Sequence, residues 1–135
     1  MKGNIVRNEE RFVMRYNSVL DLHTHTVASG HAYCSLREMA KAASEKGLEV
    51  LGITEHAPSM PGTCHKFYFN NLKVVPREMY GIQLLLGSEV NILDAQGTVD
   101  LGQHTLSSMD VVIASLHTPC MKPASKLENT EAYLN

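Results

Sequence analysis

The sequence predicts an α/β fold: the first four or so βα units of a parallel β/α barrel. Three observations carry this. Four apolar runs each close on a side chain that can bind a metal: His23-Thr24-His25, His56, Glu89 and His117. Their spacing is nearly constant, at 33 residues from His23 to His56, 33 from His56 to Glu89 and 28 from Glu89 to His117. A strand, a crossover helix and two loops need roughly 30 residues. Between the first two runs, Ser35-Leu36-Arg37-Glu38 has the form of a capping box, the start signal of a helix. In a parallel barrel the C-terminal strand ends share one face, and active sites are built there. Ligands distant in sequence would therefore meet in space.

Residues 1–17 are polar and mixed, a leader ahead of a domain over 18–135. Arg7, Arg11 and Arg15 recur every four residues, a pattern read as the solvated face of a short leader helix in preference to a phosphate-binding arm. Ser18–Leu22 is the first strand. Strand side chains alternate, so Val19, Asp21, His23 and His25 share one face and Leu20, Leu22 and Thr24 the other. Leu36, Met39, Ala40 and Ala43 then follow at helical spacing, with Gly47 as the stop. Glu49–Thr54 is the second strand, running into Thr54-Glu55-His56-Ala57-Pro58.

A long loop is expected over Ser59–Asn71, carrying Cys64, His65, Phe67, Tyr68 and Phe69; loops of this length are often lids or binding loops. Leu72–Tyr80 reads as a short helix broken or started near Pro76, and Ile82–Leu86 as the third strand, followed by Gly87-Ser88-Glu89-Val90-Asn91-Ile92. Asp94–Asp100 reads as a turn with a small β excursion, Gln103–Met109 as a short helix and Asp110–Leu116 as the fourth strand. Another helix begins at Glu128, after Lys122-Pro123.

Composition narrows the function. The chain has 135 residues, 44% hydrophobic and 19% charged, which suits one globular domain and not a disordered one. A net charge of −2, with no basic stripe interleaved with aromatics, gives no footprint for nucleic acid. No apolar run approaches the roughly 20 residues of a membrane span. Met1–Tyr16 lacks the apolar core of a signal peptide, so a cytoplasmic location is expected. Cys34, Cys64 and Cys120 form no Cys-x-x-Cys pair and read as free thiols; Cys64 beside His65 is the weaker candidate for a metal contact.

The strand-end residues define a chemistry. Imidazole nitrogen and carboxylate oxygen suit Zn²⁺, Fe²⁺ or Mn²⁺, and a carboxylate can bridge two metals. The candidate ligands are His23, His25, His31, His56, Glu89 and His117, with no catalytic residue beyond them. One histidine at a strand end is usually structural, but four successive units closing in ligand types point to a polynuclear centre and a metal-assisted hydrolase. Asp21 is either a partner of a ligand imidazole or a hydrogen-bonded interior carboxylate. His104 reads as a surface helix residue and His65 as a loop residue that could meet a substrate phosphate. Lys66, Lys73 and Arg77 are the nearest cations in sequence, with surface solvation the preferred reading for each.

At these residues the chain resembles a known family. Asp21-Leu22-His23-Thr24-His25-Thr26, His31, Thr54-Glu55-His56, Gly87-Ser88-Glu89 and Ser115-Leu116-His117 are similar to the successive motifs of the PHP (polymerase and histidinol phosphatase) superfamily. The order and the Thr-Glu-His-Ala-Pro stretch are closest to its stand-alone bacterial phosphatases, and the resemblance runs from about Ser18 onward. It implies a distorted seven-stranded β/α barrel, of which this chain supplies the N-terminal part. It also implies up to three metal ions, usually Zn²⁺ with Mn²⁺ or Fe²⁺ as alternatives, and hydrolysis of a small phosphate monoester. His23, His25 and Glu89 would hold one metal, Glu89 would bridge to a second bound by His117, and His31 and His56 would belong to the third. The family's later motifs, a further His and a closing Asp-x-His, have no counterpart before Asn135. Impaired turnover is therefore expected of this chain, read as a fragment.

Four strands of a parallel barrel leave two open edges, so self-association through them is a further expectation. The alternative function is a non-catalytic, metal-binding PHP module. A metal-dependent amidohydrolase is the weakest reading, because that class recruits a lysine at a later strand end where this chain has Glu89.

Overall fold

The structure, a computed structural model, describes residues 17–121 and 124–135. The arginine-bearing leader, apart from Asn17, lies outside the described residues, as do Lys122 and Pro123. Four strands run parallel: β1 (Leu20–Thr24), β2 (Val50–His56), β4 (Ile82–Asn91) and β5 (Val111–Ser115), side by side in that order. The two-residue β3 (Glu78–Met79) pairs antiparallel with the first residues of β4. The result is a curved wall of a barrel with helices α1 (Leu36–Glu45), α2 (Phe67–Asn71) and α3 (Gln103–Leu106) in the crossovers, and α4 (Lys126–Leu134) after β5.

Each expected strand is present, and three of them run further than their apolar residues. β1 reaches Thr24, β2 reaches His56 and β4 reaches Asn91. The polar residues that end these strands stay in the ladder because neighbours pair with them on register. His56 lies beside Glu89, and Glu89 beside Ile113. Every residue of β2 after Val50 is buried, as expected for a strand inside a parallel sheet. Behind the sheet, Ala40 and Ala43 of α1 and Phe69 of α2 belong to one core cluster with Leu51, Ile53, Leu84 and Leu86. At the two outer strands apolar groups remain exposed: Val19 and Leu20 on one side, Val112 on the other.

Helix α1 begins as its sequence signals. Glu38 N–H donates to Ser35 Oγ, while Ser35 N–H donates to Glu38 Oε2 at 2.6 Å. The same Ser-x-x-Glu arrangement at Ser125 and Glu128 starts α4 at Lys126, two residues earlier than the expected start at Glu128.

Residues 67–81 depart from expectation. The helix falls earlier than predicted, at Phe67–Asn71 inside the expected loop, and continues as a 3₁₀ turn over Leu72–Val74. The cause is Pro76: a residue before proline is pushed out of the helical region, and Val75 is extended at φ −80°, ψ 130°. Arg77 then closes the turn, donating from Nη1 to the Leu72 and Val75 carbonyls at 2.9 Å. Tyr80 and Gly81, both with positive φ, make the tight hairpin from β3 into β4. The expected short helix over Gln103–Met109 is one turn, α3, and the β excursion over 94–100 is a single Ile92–Val99 bridge.

Gly87 permits the closest strand approach. A Cβ there would fall on the Val111 carbonyl of β5, a backbone atom that cannot move aside without breaking the ladder. Gly87→Ala is expected to cost about 3 kcal/mol, the upper end of the usual range for overpacking. Urea denaturation of the variant would show a lowered midpoint, and an unchanged midpoint would contradict the close packing.

Candidate metal centre

All six sequence-predicted ligands converge at the C-terminal ends of the parallel strands. Glu89, buried near the end of β4, is the hub. Its Oε2 lies 2.8 Å from His56 Nδ1 and 3.3 Å from both His23 Nε2 and His25 Nε2. Its Oε1 lies 3.3 Å from His117 Nε2. His31 completes the cluster, with its ring 4.7 Å from that of His56 and 5.6 Å from that of His25. The i, i+2 pair on β1 does face one way, with the His23 and His25 rings 5.2 Å apart, although the ladder slips register between Asp21 and Thr24.

Three groups of donors lie close enough to hold ions: His23, His25 and Glu89; His56, Glu89 and His117; and His25, His31 and His56. Each imidazole presents one nitrogen to the cluster and can serve one ion, whereas the two carboxylate oxygens of Glu89 can serve two. The donor chemistry fits divalent zinc, iron or manganese. Two atoms make the fit specific. His56 Nδ1 and Glu89 Oε2 are buried and only 2.8 Å apart, yet neither has a hydrogen-bond partner. Buried polar atoms in native proteins are almost always satisfied, and a cation would satisfy both lone pairs at once.

The electrostatics agree. Burial lowers the affinity of His25 for protons. Burial, reinforced by the neighbouring His25, His117 and His31 rings, brings His56 down to about 4 against the pull of Glu89. Burial pushes the Glu89 carboxyl up, but the Ser115 hydroxyl and the His23, His56 and His117 rings outweigh it and hold it below its ordinary value. At neutral pH His25 and His56 therefore face an ionised Glu89 as neutral imidazoles, the protonation state that metal binding requires.

A consequence follows for stability. Between its ordinary value of 6.5 and about 4, His56 of the unfolded chain binds a proton that the folded chain refuses. Metal-free protein is thus expected to lose stability as pH falls through that window. Urea melts at the two ends of the window test this, and a constant midpoint would contradict a buried, neutral His56.

Several functional-looking residues found no place in the cluster. Asp21 is exposed and accepts from the backbone N–H of His23, so it neither orients an imidazole nor lies in the interior. Its alternation with His23 is broken by the register slip. His104 is exposed on α3, and exposed His65 accepts the Phe67 N–H at the start of α2. Arg77 is committed to Asp110 at 2.7 Å. Lys66 and Lys73 are solvated, and the three cysteines are free.

Sequence reasoning missed the residues behind the ligands. Asn91, fully buried, donates to the Ala57 carbonyl and to Asp100 Oδ2, leaving its Oδ1 to accept from His117 Nδ1 at 2.8 Å. It sits two residues after Glu89 on β4, and the period-two rule applied to the histidines of β1 would have found it. Glu55, also fully buried, accepts from Thr26 N–H, from Thr26 Oγ1 at 2.5 Å and from Ser29 Oγ at 2.6 Å. No periodicity signals that role, because its partners lie on a turn beyond β1.

Comparison with known proteins decides the family. A sequence model of the PHP domain matches residues 21–135, nearly the whole chain. The chain belongs to the PHP domain family. It is 57% identical over 122 residues to a probable phosphatase of Clostridium novyi, covering 90% of this chain and 49% of that one. A probable phosphatase of Clostridium botulinum is 52% identical over the same shares. One from Thermoanaerobacter pseudethanolicus is 49% identical over 118 residues, covering 87% of this chain and 48% of the relative. The PHP chain described here thus spans about half the length of the curated relatives it matches. Among its described residues no helix is long and apolar enough to cross a membrane.

Proposed function

We propose that this PHP chain carries the greater part of the metal centre of a phosphatase that hydrolyses a small phosphate monoester. One observation carries the reading: five imidazoles and the carboxylate of Glu89 meet at the strand ends. Divalent ions bound there would activate water near neutral pH and offset charge on the phosphoryl oxygens. Divalent ions held by this imidazole-rich set would favour a phosphate dianion over a neutral substrate. The names of the relatives, probable phosphatases, point the same way.

The residues divide the work. Glu89, through its two oxygens, would serve two ions, one shared with His23 and His25 and one with His117. His31 and His56 would serve a third. His23 and His31 are the exposed members of the cluster among the described residues. Asn91 holds His117 so that its Nε2 faces Glu89.

Zinc is the preferred ion, with manganese or iron as the alternatives that the same donors accept. The test is metal analysis together with p-nitrophenyl phosphate turnover, before and after chelation and re-addition of each ion. Turnover lost on chelation and restored by metal is the expected result. Protein that neither binds metal nor turns over substrate would refute the reading. The second reading is a metal-binding module without turnover; retained metal without turnover would establish it.

A further inference from the structure

Ser29 lies at the end of the 3₁₀ turn Val27–Ser29, fully buried, and touches three of the candidate ligands without being one. Its Oγ is 3.0 Å from His25 Nδ1 and accepts the backbone N–H of His56 at 3.0 Å. Its carbonyl oxygen lies 3.1 Å from His31 Nδ1. A hydroxyl has one proton to donate and two lone pairs. The proton goes to Glu55 Oε2 at 2.6 Å, where Thr26 N–H and the Thr26 hydroxyl also converge on the same carboxylate. One lone pair takes the His56 N–H. The remaining lone pair faces His25, so His25 Nδ1 must carry the hydrogen. A backbone carbonyl can only accept, so His31 Nδ1 carries one too. Both rings are left with Nε2 as the free donor atom.

We propose that Ser29, held by Glu55, is a positioning residue that fixes His25 and His31 as Nδ1–H tautomers and seats the end of β2 that carries His56. Gly30 makes the turn possible: its φ is +78°, and a Cβ there would fall on the Gly62 carbonyl of the following loop. The backbone that places Ser29 therefore has no room for another residue at its neighbour. The assignment rests on the metal-centre reading for its purpose, but the hydrogen-bond count stands without metal.

The experiment is long-range ¹H–¹⁵N correlation of the imidazole rings of the metal-free full chain, at a pH where they are neutral. In the unsubstituted protein His25 is expected as a single Nδ1–H tautomer. In Ser29→Ala it becomes a mixture, while His117, held independently by Asn91, is unchanged. In Glu55→Gln the Ser29 proton is no longer claimed by an acceptor-only group, and His25 shifts toward Nε2–H. Zinc affinity of Ser29→Ala, measured against a competing chelator, falls roughly 10–100-fold, the usual cost of losing a group that orients a ligand. An Nε2–H tautomer of His25 in the unsubstituted protein overturns the proposal, and that measurement does not depend on any variant folding. The predicted tautomers in a protein that binds no zinc would refute the proposed function and leave the Ser29 assignment standing.

Discussion

Glu89→Gln is expected to reduce metal affinity more than about 100-fold, beyond the range for outer residues that merely orient a ligand. Glutamine has nearly the same shape, so the β4 ladder and the neighbouring strands should stay in place. What changes is charge and donor sense. Glu89 approaches four imidazole nitrogens within 3.3 Å or less. An amide there offers one neutral oxygen, and its NH₂ would point into the cluster where a lone pair is needed. The ion that His23 and His25 would hold and the ion that His117 would hold would both lose their carboxylate ligand. Metal content after dialysis should fall, and turnover of p-nitrophenyl phosphate with it. The metal-free variant should melt somewhat lower than the parent at neutral pH, because the folded chain favours the ionised carboxylate over a neutral group at this position. His56 reports the change separately: Glu89 is what holds its proton affinity up, so its titration should move below about 4. Full metal content in the variant would remove Glu89 from the centre.

How far the site could be read in advance follows from what each residue does. The candidate ligands were legible because two regularities coincide on them. They close apolar runs, and the runs recur at the length of a βα unit, so His23, His56, Glu89 and His117 had to share one face of a parallel sheet. His25 followed from strand alternation. The strand ends were read short for the same reason that the ligands stood out. Thr54 to His56 and Gly87 to Asn91 are polar or small, and hydropathy alone cannot distinguish a strand entering a site from a strand that has stopped. Pairing on both sides of β4 keeps those residues extended.

The supporting residues were illegible for a different reason. Ser29 and Glu55 are 26 positions apart and meet only because the turn after β1 folds over the end of β2. Neither residue type is unusual where it stands, and no pattern within one element connects them. The hairpin at Tyr80–Gly81 was also hidden, since its positive φ at a tyrosine has no sequence signature as strong as Asn-Gly. Ser44 steadies it from α1, donating its hydroxyl to the Tyr80 carbonyl at 2.8 Å. Local signals thus gave the elements and their C-terminal chemistry, while contacts between turns gave the order within the site.

The largest stability effect is expected from Glu55. Its carboxylate is fully buried and is met by the Thr26 N–H, the Thr26 hydroxyl and the Ser29 hydroxyl. Hydrogen bonds to a charged group contribute about 1.5–3 kcal/mol each, and a buried donor stripped of its acceptor costs about 1–3 kcal/mol. Glu55→Ala removes the acceptor for all three donors and leaves a cavity beside Tyr68, whose hydroxyl is held neutral there by burial and by the Glu55 charge. These losses do not simply add, because hydroxyls can rotate to other partners. A cost of about 4 kcal/mol is expected, within the range for breaking a buried charged network. That is a large share of the roughly 5–15 kcal/mol that stabilises a domain. Urea denaturation at neutral pH should show the midpoint falling sharply. Glu55→Gln should cost less, since its carbonyl retains one acceptor and the Thr26 and Ser29 hydroxyls can reorient toward its NH₂. The ordering separates two accounts of this residue. If Glu55 served only to fill space, alanine and glutamine would differ by volume alone, and Glu55→Gln would be as stable as the parent. If it is the acceptor on which the turn after β1 closes, Glu55→Gln falls between the two and disturbs His25 before it unfolds anything.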